Sequence, residues 1–250
     1  MIELSHITKV FNRGEVNEVT ALKDVDLTIA KGDFVVLTGS NGSGKTTLLN
    51  VISGAVLPGG GRVRIKGEDV TDMPEHRRSR WVARVFQNPL GGTAPELSIL
   101  DNFRLAALRT QPKRLRIGID DAFKKTVREK IAGLGLGLEN KLQQPIGALS
   151  GGQRQALTML MSAMDHTDIL LLDEPTAALD PKSAEVVMQT AEKIVQVQGL
   201  TTVLITHNLR DSLRYGNRLV HMHAGKIEYD LDAAARQQLK MEDLYAWFER

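Results

Sequence analysis

The chain carries the stretch Gly39-Ser40-Asn41-Gly42-Ser43-Gly44-Lys45-Thr46 directly after a short apolar run, Val35–Thr38. This is the pattern G-x-x-x-x-G-K-[ST], whose glycines let backbone N–H groups approach phosphate oxygens. Lys45 supplies a positive charge for the outer phosphates, and Thr46 supplies a hydroxyl for Mg²⁺. A helix predicted over Lys45–Ser53 adds its positive N-terminal end at the same place. The stretch therefore predicts strand, phosphate-binding loop and helix in succession, which begins a nucleotide-binding α/β fold.

Two further strand ends carry polar side chains that suit phosphoryl transfer. The apolar run Ile169–Leu172 leads into Asp173 and Glu174, and a predicted strand at 202–205 leads into Thr206-His207. Because ligands bind at the carboxyl ends of strands in an open α/β sheet, these side chains are predicted to meet the phosphate loop. We expect Asp173 to contact Mg²⁺ through water, Glu174 to deprotonate the attacking water and His207 to hydrogen-bond the γ-phosphate. The alternatives are an acidic strand cap without chemistry and a structural histidine.

Composition is that of an ordinary globular protein. The 250 residues are 42% hydrophobic and 25% charged, with a formal net charge of +2 and no cysteine. The near-neutral charge gives no argument for nucleic acid, and the absence of cysteine excludes disulfides, cysteine nucleophiles and zinc–cysteine clusters. Apolar runs fall well short of the ~20 residues of a membrane helix, and Met1–Leu4 begins no basic-then-apolar leader. We expect a cytoplasmic protein, or one held at the inner face of a membrane by a partner.

Hydrophobic periodicity divides the chain into an α/β core and a helical insertion. Strands are predicted at 2–11 and within 22–38, around a loop at 12–21, at 62–66 and 82–86, and as a hairpin at 217–222 and 226–230. From about 88 to 166 strand signals are absent, and Phe123, Val127 and Ile131 recur at helical spacing after a capping Asp120 or Asp121. Further helices are predicted at 181–198 and over the last twenty residues. The fold class is α/β: one domain, 1–250, with a mostly parallel sheet, an antiparallel β portion and an inserted helical lobe.

A second glycine-rich motif, Leu149-Ser150-Gly151-Gly152-Gln153, follows the phosphate loop by more than a hundred residues. Together with Gln87 after a strand, Ala178-Leu179-Asp180 and His207, this order of motifs closely resembles the ATP-binding subunits of ABC transporters over nearly the whole chain. The resemblance implies Mg²⁺-dependent ATP hydrolysis by a P-loop ATPase. It also implies a head-to-tail dimer, with a second copy or a homologous subunit, that encloses two ATP molecules and drives a transmembrane permease.

The resemblance also implies roles for individual residues. Ser150, Gly151 and Gly152 would contact the γ-phosphate bound by the other copy, and the hydroxyl and amides at this helix start form an anion site. Gln87 would reach Mg²⁺ or the water, and Asp180 would order the facing subunit. Phe11 would stack on adenine, where the family usually has tyrosine; an ordinary core phenylalanine is the alternative. The residues expected to contact nucleotide are Phe11, Gly39, Ser40, Asn41, Gly42, Ser43, Gly44, Lys45, Thr46, Thr47, Ser150, Gly151, Gly152, Gln153 and Asp180. Those expected at the metal are Thr46, Gln87 and Asp173, and those expected in catalysis are Glu174, His207 and Gln87.

A finer resemblance concerns the transported solute. The stretches 20–22, 177–180 and 206–219 resemble ATPases of importers that pair a substrate-binding protein with a permease of the branched-chain-amino-acid type. Some of these are assigned to aromatic amino acids such as tryptophan, which favours import of a small organic solute. The stretch Phe11–Leu22 also resembles the ATPases of macrolide and lipoprotein exporters, which are the alternative. A soluble ABC-type ATPase is less favoured because the chain has no coiled-coil insertion, zinc site or second ATPase domain.

The segment 88–98 is predicted to contact the permease. It contains Pro89, Gly91, Gly92 and Pro95 and a single ionisable residue, Glu96, which predicts a flexible and weakly solvated surface. The family resemblance puts the groove for the permease's cytoplasmic helix here, so Leu90, Ala94 and Leu97 are the expected contacts. An ordinary surface loop is the alternative.

Charged and histidine-containing segments outside these motifs are predicted to be solvated. They are the basic runs Arg77, Arg78, Arg80, Arg84 and Lys113, Arg114, Arg116, and the pair His221 and His223 on one face of a predicted strand. Two histidines at this spacing can hold a metal, but no third ligand is evident, so a solvated edge strand is the preferred interpretation.

Overall fold

The computed structural model describes residues 1–88, 91–108, 118–165 and 167–248, and Pro89, Leu90, Lys113, Arg114 and Arg116 lie outside them. The strands are β1 Ile2–Phe11, β2 Val19–Ile29, β3 Phe34–Thr38, β4 Gly60–Ile65, β5 Glu68–Asp69, β6 Val82–Val85, β7 Ile169–Asp173, β8 Thr201–Ile205, β9 Arg218–His223 and β10 Lys226–Leu231. The α-helices are α1 Lys45–Ser53, α2 Glu75–Arg78, α3 Ile99–Ala106, α4 Asp121–Ala132, α5 Gly151–Ser162, α6 Pro181–Gln198, α7 Leu209–Arg214, α8 Ala233–Gln237 and α9 Met241–Phe248. A 3₁₀ turn, Ile146–Ala148, precedes α5.

The larger sheet brings the predicted site residues to one edge. Its strand order is β10-β9-β3-β8-β7-β6, parallel from β9 to β6, with β10 antiparallel. β3 pairs with β8 from Phe34 opposite Thr202 to Leu37 opposite Ile205. On the other side of β8, β7 places Asp173 opposite Ile205. The carboxyl ends of β3, β8 and β7 are therefore neighbours, as the sequence predicts.

A separate antiparallel sheet, β2-β1-β4-β5, covers one face of the larger sheet. Side chains alternate along β3, so that Val35 and Leu37 join a buried apolar cluster with this sheet and α1, whereas Val36 joins a second cluster with the helices. All five residues of β3 are buried because both faces of the larger sheet are covered. The predicted α/β class, with a mostly parallel sheet and an antiparallel β portion, is confirmed.

Helices α3, α4 and α5 fall within the range where the sequence predicts a helical lobe. Val127 and Ile131 of α4 are fully buried, and burying each such side chain stabilises the fold by about 1.5–3 kcal/mol. Asp120 caps α4 by accepting a hydrogen bond from the Phe123 N–H at 2.7 Å. These helices share one apolar cluster with Leu172 of β7. The boundaries 88–166 of an inserted lobe stay a prediction.

Two segments are divided differently from their prediction. The stretch 22–38 belongs to two sheets, because a turn in which Asp33 accepts a hydrogen bond from the Ala30 N–H at 2.9 Å separates β2 from β3. The preceding loop is also shorter, since β2 already begins at Val19. The last twenty residues are predicted as helix, and the structure places two helices within 231–248: Asp232 caps the short α8, and 238–240 separate it from α9. None of the helices among the described residues is both long and apolar enough to cross a bilayer.

The predicted solvated edge strand around His221 is wrong. β9 lies between β10 and β3, and His221 is 1% exposed. Its Nδ1 lies 3.1 Å from the hydroxyl of Thr38, and its ring lies against Trp247 of α9. Burial lowers the pKa of His221 to about 4, so the ring is neutral near pH 7.

The predicted solvated face is also wrong for two arginines of the first basic run. Arg78 is fully buried, and its guanidinium donates hydrogen bonds to backbone carbonyls, including that of Val51 at 2.7 Å. Arg84 pairs with Asp173, as described below. Arg80 does lie at the surface, where its ion pair with Glu68 leaves both side chains 50% exposed.

Candidate nucleotide-binding site

The phosphate loop has a conformation that its glycines make possible. Gly39 and Gly44 have φ angles of 145° and 102°, which residues other than glycine rarely adopt. A Cβ at Gly39 would lie 2.2 Å from the carbonyl oxygen of Met222, and one at Gly44 would lie 2.5 Å from that of Ala21. These two positions therefore need glycine for both backbone angle and close approach. Gly42 also has a positive φ, 78°, but open space around it.

Lys45 is held at the centre of this loop. Its ammonium donates hydrogen bonds to the carbonyl oxygens of Gly39 at 2.8 Å and Ser40 at 2.9 Å, and lies 3.5 Å from the hydroxyl of Ser43. Burial lowers the pKa of Lys45, and the nearby carboxylates Glu174 and Asp173 partly counter this. The buried ammonium thus has fixed oxygen partners and two acidic neighbours, an arrangement that can receive the phosphates of a nucleotide.

Thr46 and Asp173 meet where the sequence predicts a magnesium site. The hydroxyl of Thr46 donates a hydrogen bond to Asp173 Oδ1 at 3.4 Å. Asp173 is 7% exposed. Mg²⁺ prefers oxygen ligands such as a hydroxyl and a carboxylate. In phosphoryl-transfer sites it is commonly bound by one or two carboxylates together with the substrate phosphates. The donor set fits this ion.

Glu174, His207 and Gln87 form a second cluster beside Asp173. Glu174 Oε1 lies 2.6 Å from Nε2 of His207, and Oε2 accepts a hydrogen bond from Nε2 of Gln87 at 3.4 Å. Glu174 is largely buried, with 17% of its side chain exposed, whereas 39% of the His207 side chain is exposed. Two residues that are far from Glu174 in the sequence, His207 and Gln87, therefore hold its carboxylate through both oxygens.

The backbone of Glu174 adopts a conformation that is rare for its residue type. Its φ is 48°, and its N–H donates to the carbonyl of Ile205 at 3.1 Å, which ties it to the end of β8. A residue other than glycine with a positive φ raises the conformational energy by about 1 kcal/mol or more, and such residues cluster at functional sites. The turn directs the side chain toward His207, which follows the same strand β8.

The motif 149–153 begins α5. The Ser150 hydroxyl accepts a hydrogen bond from the Gln153 N–H, and the Gln153 side chain accepts one from the Ser150 N–H, both at 3.3 Å. A Cβ at Gly152 would lie 2.5 Å from Cβ of Ser183 in α6, so Gly152 permits close helix packing. Among the described residues, no hydrogen bond or ion pair joins 150–153 to the phosphate loop.

The remaining predicted contacts lie at element ends. Asp180 caps α6 by accepting hydrogen bonds from the N–H groups of Lys182 and Ser183, both at 3.1 Å. Phe11 ends β1, half-buried, with the ammonium of Lys9 5.2 Å from its ring centroid. Their roles toward nucleotide stay predictions, as do those of Ser40, Asn41, Ser43 and Thr47 in and after the loop.

Sequence reasoning missed Arg84 and Asn50 at this site. Arg84 Nη2 lies 2.6 Å from Asp173 Oδ2, and its Nη1 donates to Asn50 Oδ1 of α1 at 2.5 Å. A signal was present, because Arg84 interrupts the apolar strand Val82–Val85 and a charge in a buried strand needs a partner.

Residues 91–94 of the segment 88–98 line a groove of about 560 Å³, together with Leu105 and Met161. Buried Asn102 fixes its backbone: the side chain bonds both the N–H and the C=O of Ala94 at 2.8 and 3.0 Å and also reaches the C=O of Ser98 at 2.9 Å. These hydrogen bonds tie the backbone at 94 and 98 to α3, and the predicted flexibility of the segment stays a prediction. Leu97 remains 42% exposed beside this ordered backbone.

Comparison with known proteins gives matches along the whole chain. A family model described as ABC transporter matches residues 22–177. The tyrosine transport ATP-binding protein of Clostridioides difficile is 36% identical over 258 residues, which cover 100% of this chain and 99% of that protein. The lipoprotein-releasing system ATP-binding protein LolD 1 of Caulobacter vibrioides is 33% identical over 223 residues, which cover 88% of this chain and 91% of that protein.

A solved structure matches the fold closely. It is the dimeric structure of a post-hydrolysis state of an ATP-binding cassette bound to ADP and phosphate. The TM-score is 0.79 at 30% identity, and the match covers 93% of this chain and 99% of that chain.

Proposed function

The chain belongs to the ABC transporter family, and we propose that it hydrolyses ATP to drive the import of a small organic solute such as an amino acid. Homologous cassettes are ATPases coupled to transport, and this chain is an ATPase of that kind. The observation that carries the chemical part is the Glu174 cluster beside Asp173 and Lys45. Its carboxylate, imidazole and amide are the groups that in-line attack of water on a γ-phosphate requires.

Glu174 is the proposed general base. The water oxygen attacks the γ-phosphorus, the bond to the β-phosphate oxygen breaks, and Glu174 takes the proton of the water. Contacts from His207 at 2.6 Å and Gln87 at 3.4 Å hold the carboxylate in one orientation. In the ATP-bound state His207 is proposed to hydrogen-bond the γ-phosphate in place of this contact with Glu174 and to keep the water aligned.

The nucleotide is held by the phosphate loop and by Mg²⁺. Backbone N–H groups of 39–46 and the ammonium of Lys45 bind the phosphates. Thr46, Asp173 and Gln87 are the proposed residues at the metal. When bound, Mg²⁺ neutralises the charge that develops on the phosphate oxygens. Phe11 is proposed to stack on adenine through its ring face.

Two copies, or one copy and a homologous subunit, are proposed to enclose two ATP molecules head to tail. Ser150 and Gly151 lie at the N-terminal end of α5, where the hydroxyl and free amides suit an anion. The phosphate loop of the same chain makes no polar contact with them in the described part of the structure, so a partner's nucleotide is the proposed occupant. The dimeric ADP-bound relative supports this assembly.

The transporter is proposed to act at the cytoplasmic face of the membrane, where a permease of the branched-chain-amino-acid type binds this chain and a substrate-binding protein delivers the solute. The full-length likeness to a tyrosine transport protein supports an amino acid, tyrosine or tryptophan among them. Exposed Leu97, three residues after Ala94 of the groove, is the proposed permease contact. No nucleic acid is part of this function.

An exporter of the macrolide or lipoprotein type is the second candidate, because a lipoprotein-releasing relative is 33% identical. The direction of transport decides between the two. The chain, its co-purified permease and the substrate-binding protein are combined in proteoliposomes with the ATPase side inside or outside. Labelled tyrosine, labelled tryptophan and a labelled lipophilic solute are followed. ATP on the ATPase side should draw the amino acid toward that side. Movement of a lipophilic solute away from it supports the exporter instead, and Glu174→Gln serves as the inactive control.

The contact with the permease has its own test. Leu97→Arg should keep the basal ATPase of the isolated chain and lose permease binding and transport, because a charge replaces an exposed apolar side chain at the docking surface. Glu96→Arg changes the neighbouring charged position as a control. Normal transport by Leu97→Arg would remove this segment from the proposed interface.

A further inference from the structure

Arg84 occupies an unusual place for a charged side chain. It lies in the middle of β6, a strand whose other three residues, Val82, Ala83 and Val85, are buried. Only 10% of the Arg84 side chain is exposed, and the Asp173 side chain with which it pairs is equally buried. Because an ion pair withdrawn from water to this degree has a desolvation penalty that can exceed its Coulombic gain, stability alone is a weak reason for it.

The two oxygens of Asp173 have different partners. Oδ1 accepts the hydrogen bond of the Thr46 hydroxyl at 3.4 Å, on the side of the phosphate loop. Oδ2 is bound by Arg84 Nη2 at 2.6 Å. The terminal torsion angle of an aspartate side chain is broadly distributed. Without Arg84, the carboxylate of Asp173 would therefore have no fixed orientation. The guanidinium therefore fixes the orientation of the carboxylate, so that one oxygen faces Thr46 while Arg84 holds the other.

Arg84 is itself fixed by a second element of the site. Its Nη1 donates to Asn50 Oδ1, and Asn50 lies in α1, the helix that begins at the end of the phosphate loop. The guanidinium also lies 4.9 Å from the ring centroid of Phe86. Its Nε has no hydrogen-bond partner within the part of the chain that the structure describes. The planar fork thus spans α1 and β7, the two elements that supply Thr46 and Asp173.

We propose that Arg84 is a positioning residue for the magnesium site, which holds Oδ2 of Asp173 so that Oδ1 stays directed at Thr46. The inference rests on the proposed role of Thr46 and Asp173 in binding Mg²⁺. Partners that orient a metal ligand in this way typically contribute about 10–100-fold to metal affinity. If the guanidinium served stability alone, its removal would leave the Mg²⁺ concentration needed for nucleotide binding unchanged.

The test is a binding measurement that does not depend on turnover. A fluorescent, non-hydrolysable ATP analogue is titrated onto the full chain in EDTA, and Mg²⁺ is then titrated at a fixed analogue concentration. Arg84→Met should keep its affinity for the analogue in EDTA within about two-fold, whereas the half-saturating Mg²⁺ should rise about 10-fold or more. Arg80→Met is the matched control, since it removes an exposed arginine–glutamate pair of the same run.

Arg84→Lys covers the case in which Arg84→Met does not fold. It keeps a buried positive charge but cannot span Asp173 and Asn50 together, so it should raise the half-saturating Mg²⁺ by a smaller factor, about three-fold. An unchanged or lower half-saturating Mg²⁺ in the folded variants overturns the proposal. If the wild-type chain binds the analogue without any response to Mg²⁺, the magnesium site of the proposed function fails instead.

Discussion

The two glycine-rich segments of this chain differ in what they contact. The phosphate loop is surrounded by its own chain: Lys45 bonds the loop carbonyls, Thr46 meets Asp173, and Glu174 lies close enough to influence Lys45. The segment 150–153 instead closes a capping box on its own helix and packs Gly152 against α6. The phosphate loop has its polar partners within the same chain. The segment 150–153 forms the exposed start of a helix that has no such partners among the described residues.

This difference explains how one chain can bind nucleotide and still need a partner. The groups proposed for water attack lie around the phosphate loop, whereas the anion proposed for the amides that follow Ser150 has to come from elsewhere. Changes at the first segment should therefore act on a single chain. Changes at Ser150 in the second segment should act on the assembly, whereas Gly152 serves packing within the chain. The following predictions test this contrast from the largest expected effect to the smallest.

Glu174→Gln should lower ATP turnover by about 10²–10⁴-fold, the usual contribution of a general base. The amide keeps the shape of the side chain but cannot take the proton of the water. Phosphate and metal contacts remain, so the variant should bind ATP and accumulate as an ATP-dependent dimer on size exclusion. Wild-type turnover in this variant would remove Glu174 from its role.

Ser150→Arg should lower turnover by about 10²-fold, the scale on which a preorganised donor site acts, while ATP binding to each chain stays near wild type. The long cation fills the space proposed for the partner's γ-phosphate. Analytical ultracentrifugation at saturating ATP should show monomers. Ser162→Arg, at the far end of α5, is the control for added charge. Normal ATP-driven dimerisation of Ser150→Arg would argue against the head-to-tail arrangement.

Lys45→Ala should weaken ATP binding about 10–100-fold, since a charged hydrogen-bonding group is worth about 1.5–3 kcal/mol. Isothermal titration calorimetry of the isolated chain measures this directly, with Lys31→Ala as an exposed lysine control. Unchanged affinity in Lys45→Ala would mean that the phosphates bind somewhere else.

Gly152→Ala should destabilise the chain by about 1–3 kcal/mol, the usual cost of overpacking, because its Cβ would lie 2.5 Å from that of Ser183. Thermal unfolding of Gly152→Ala, Ser183→Gly and the double variant measures the coupling. The second change should recover part of the loss by removing the Cβ that clashes. If the two losses simply add, Gly152 is not there for helix packing.

The sequence predicts the phosphate-loop side of this comparison well. The pattern of Lys45 and Thr46, and the strand ends at Asp173 and His207, depend on short-range rules about loops and parallel strands. The α/β class and most strand positions follow from the same alternation of apolar residues.

Other features depend on long-range contacts that periodicity does not carry. The pairing of Arg84 with Asp173 joins residues 89 positions apart, and the burial of His221 follows from β10 and α9 covering β9. The break between α8 and α9 falls at 238–240, where the Asp243 side chain accepts a hydrogen bond from the Lys240 N–H at 2.8 Å. The positive φ of Glu174 is set by its bond to Ile205 and not by its residue type.

Mixing two inactive variants tests the central claim most directly. Lys45→Ala chains keep an intact Ser150, and Ser150→Arg chains keep an intact phosphate loop. If each ATP lies between the loop of one chain and Ser150 of the other, an equimolar mixture should recover activity. The recovery should approach about a quarter of wild type, because half of the dimers are mixed and each has one intact site of two.

A mixture of wild type with the double variant Lys45→Ala/Ser150→Arg is the matched control, because its mixed dimers contain no intact site. The measurement is steady-state ATP hydrolysis per mole of chain in the presence of Mg²⁺. We predict that the first mixture exceeds the mean of its separate components and that the control does not exceed its own mean. A first mixture that only equals the mean of its components would contradict a site shared between two chains.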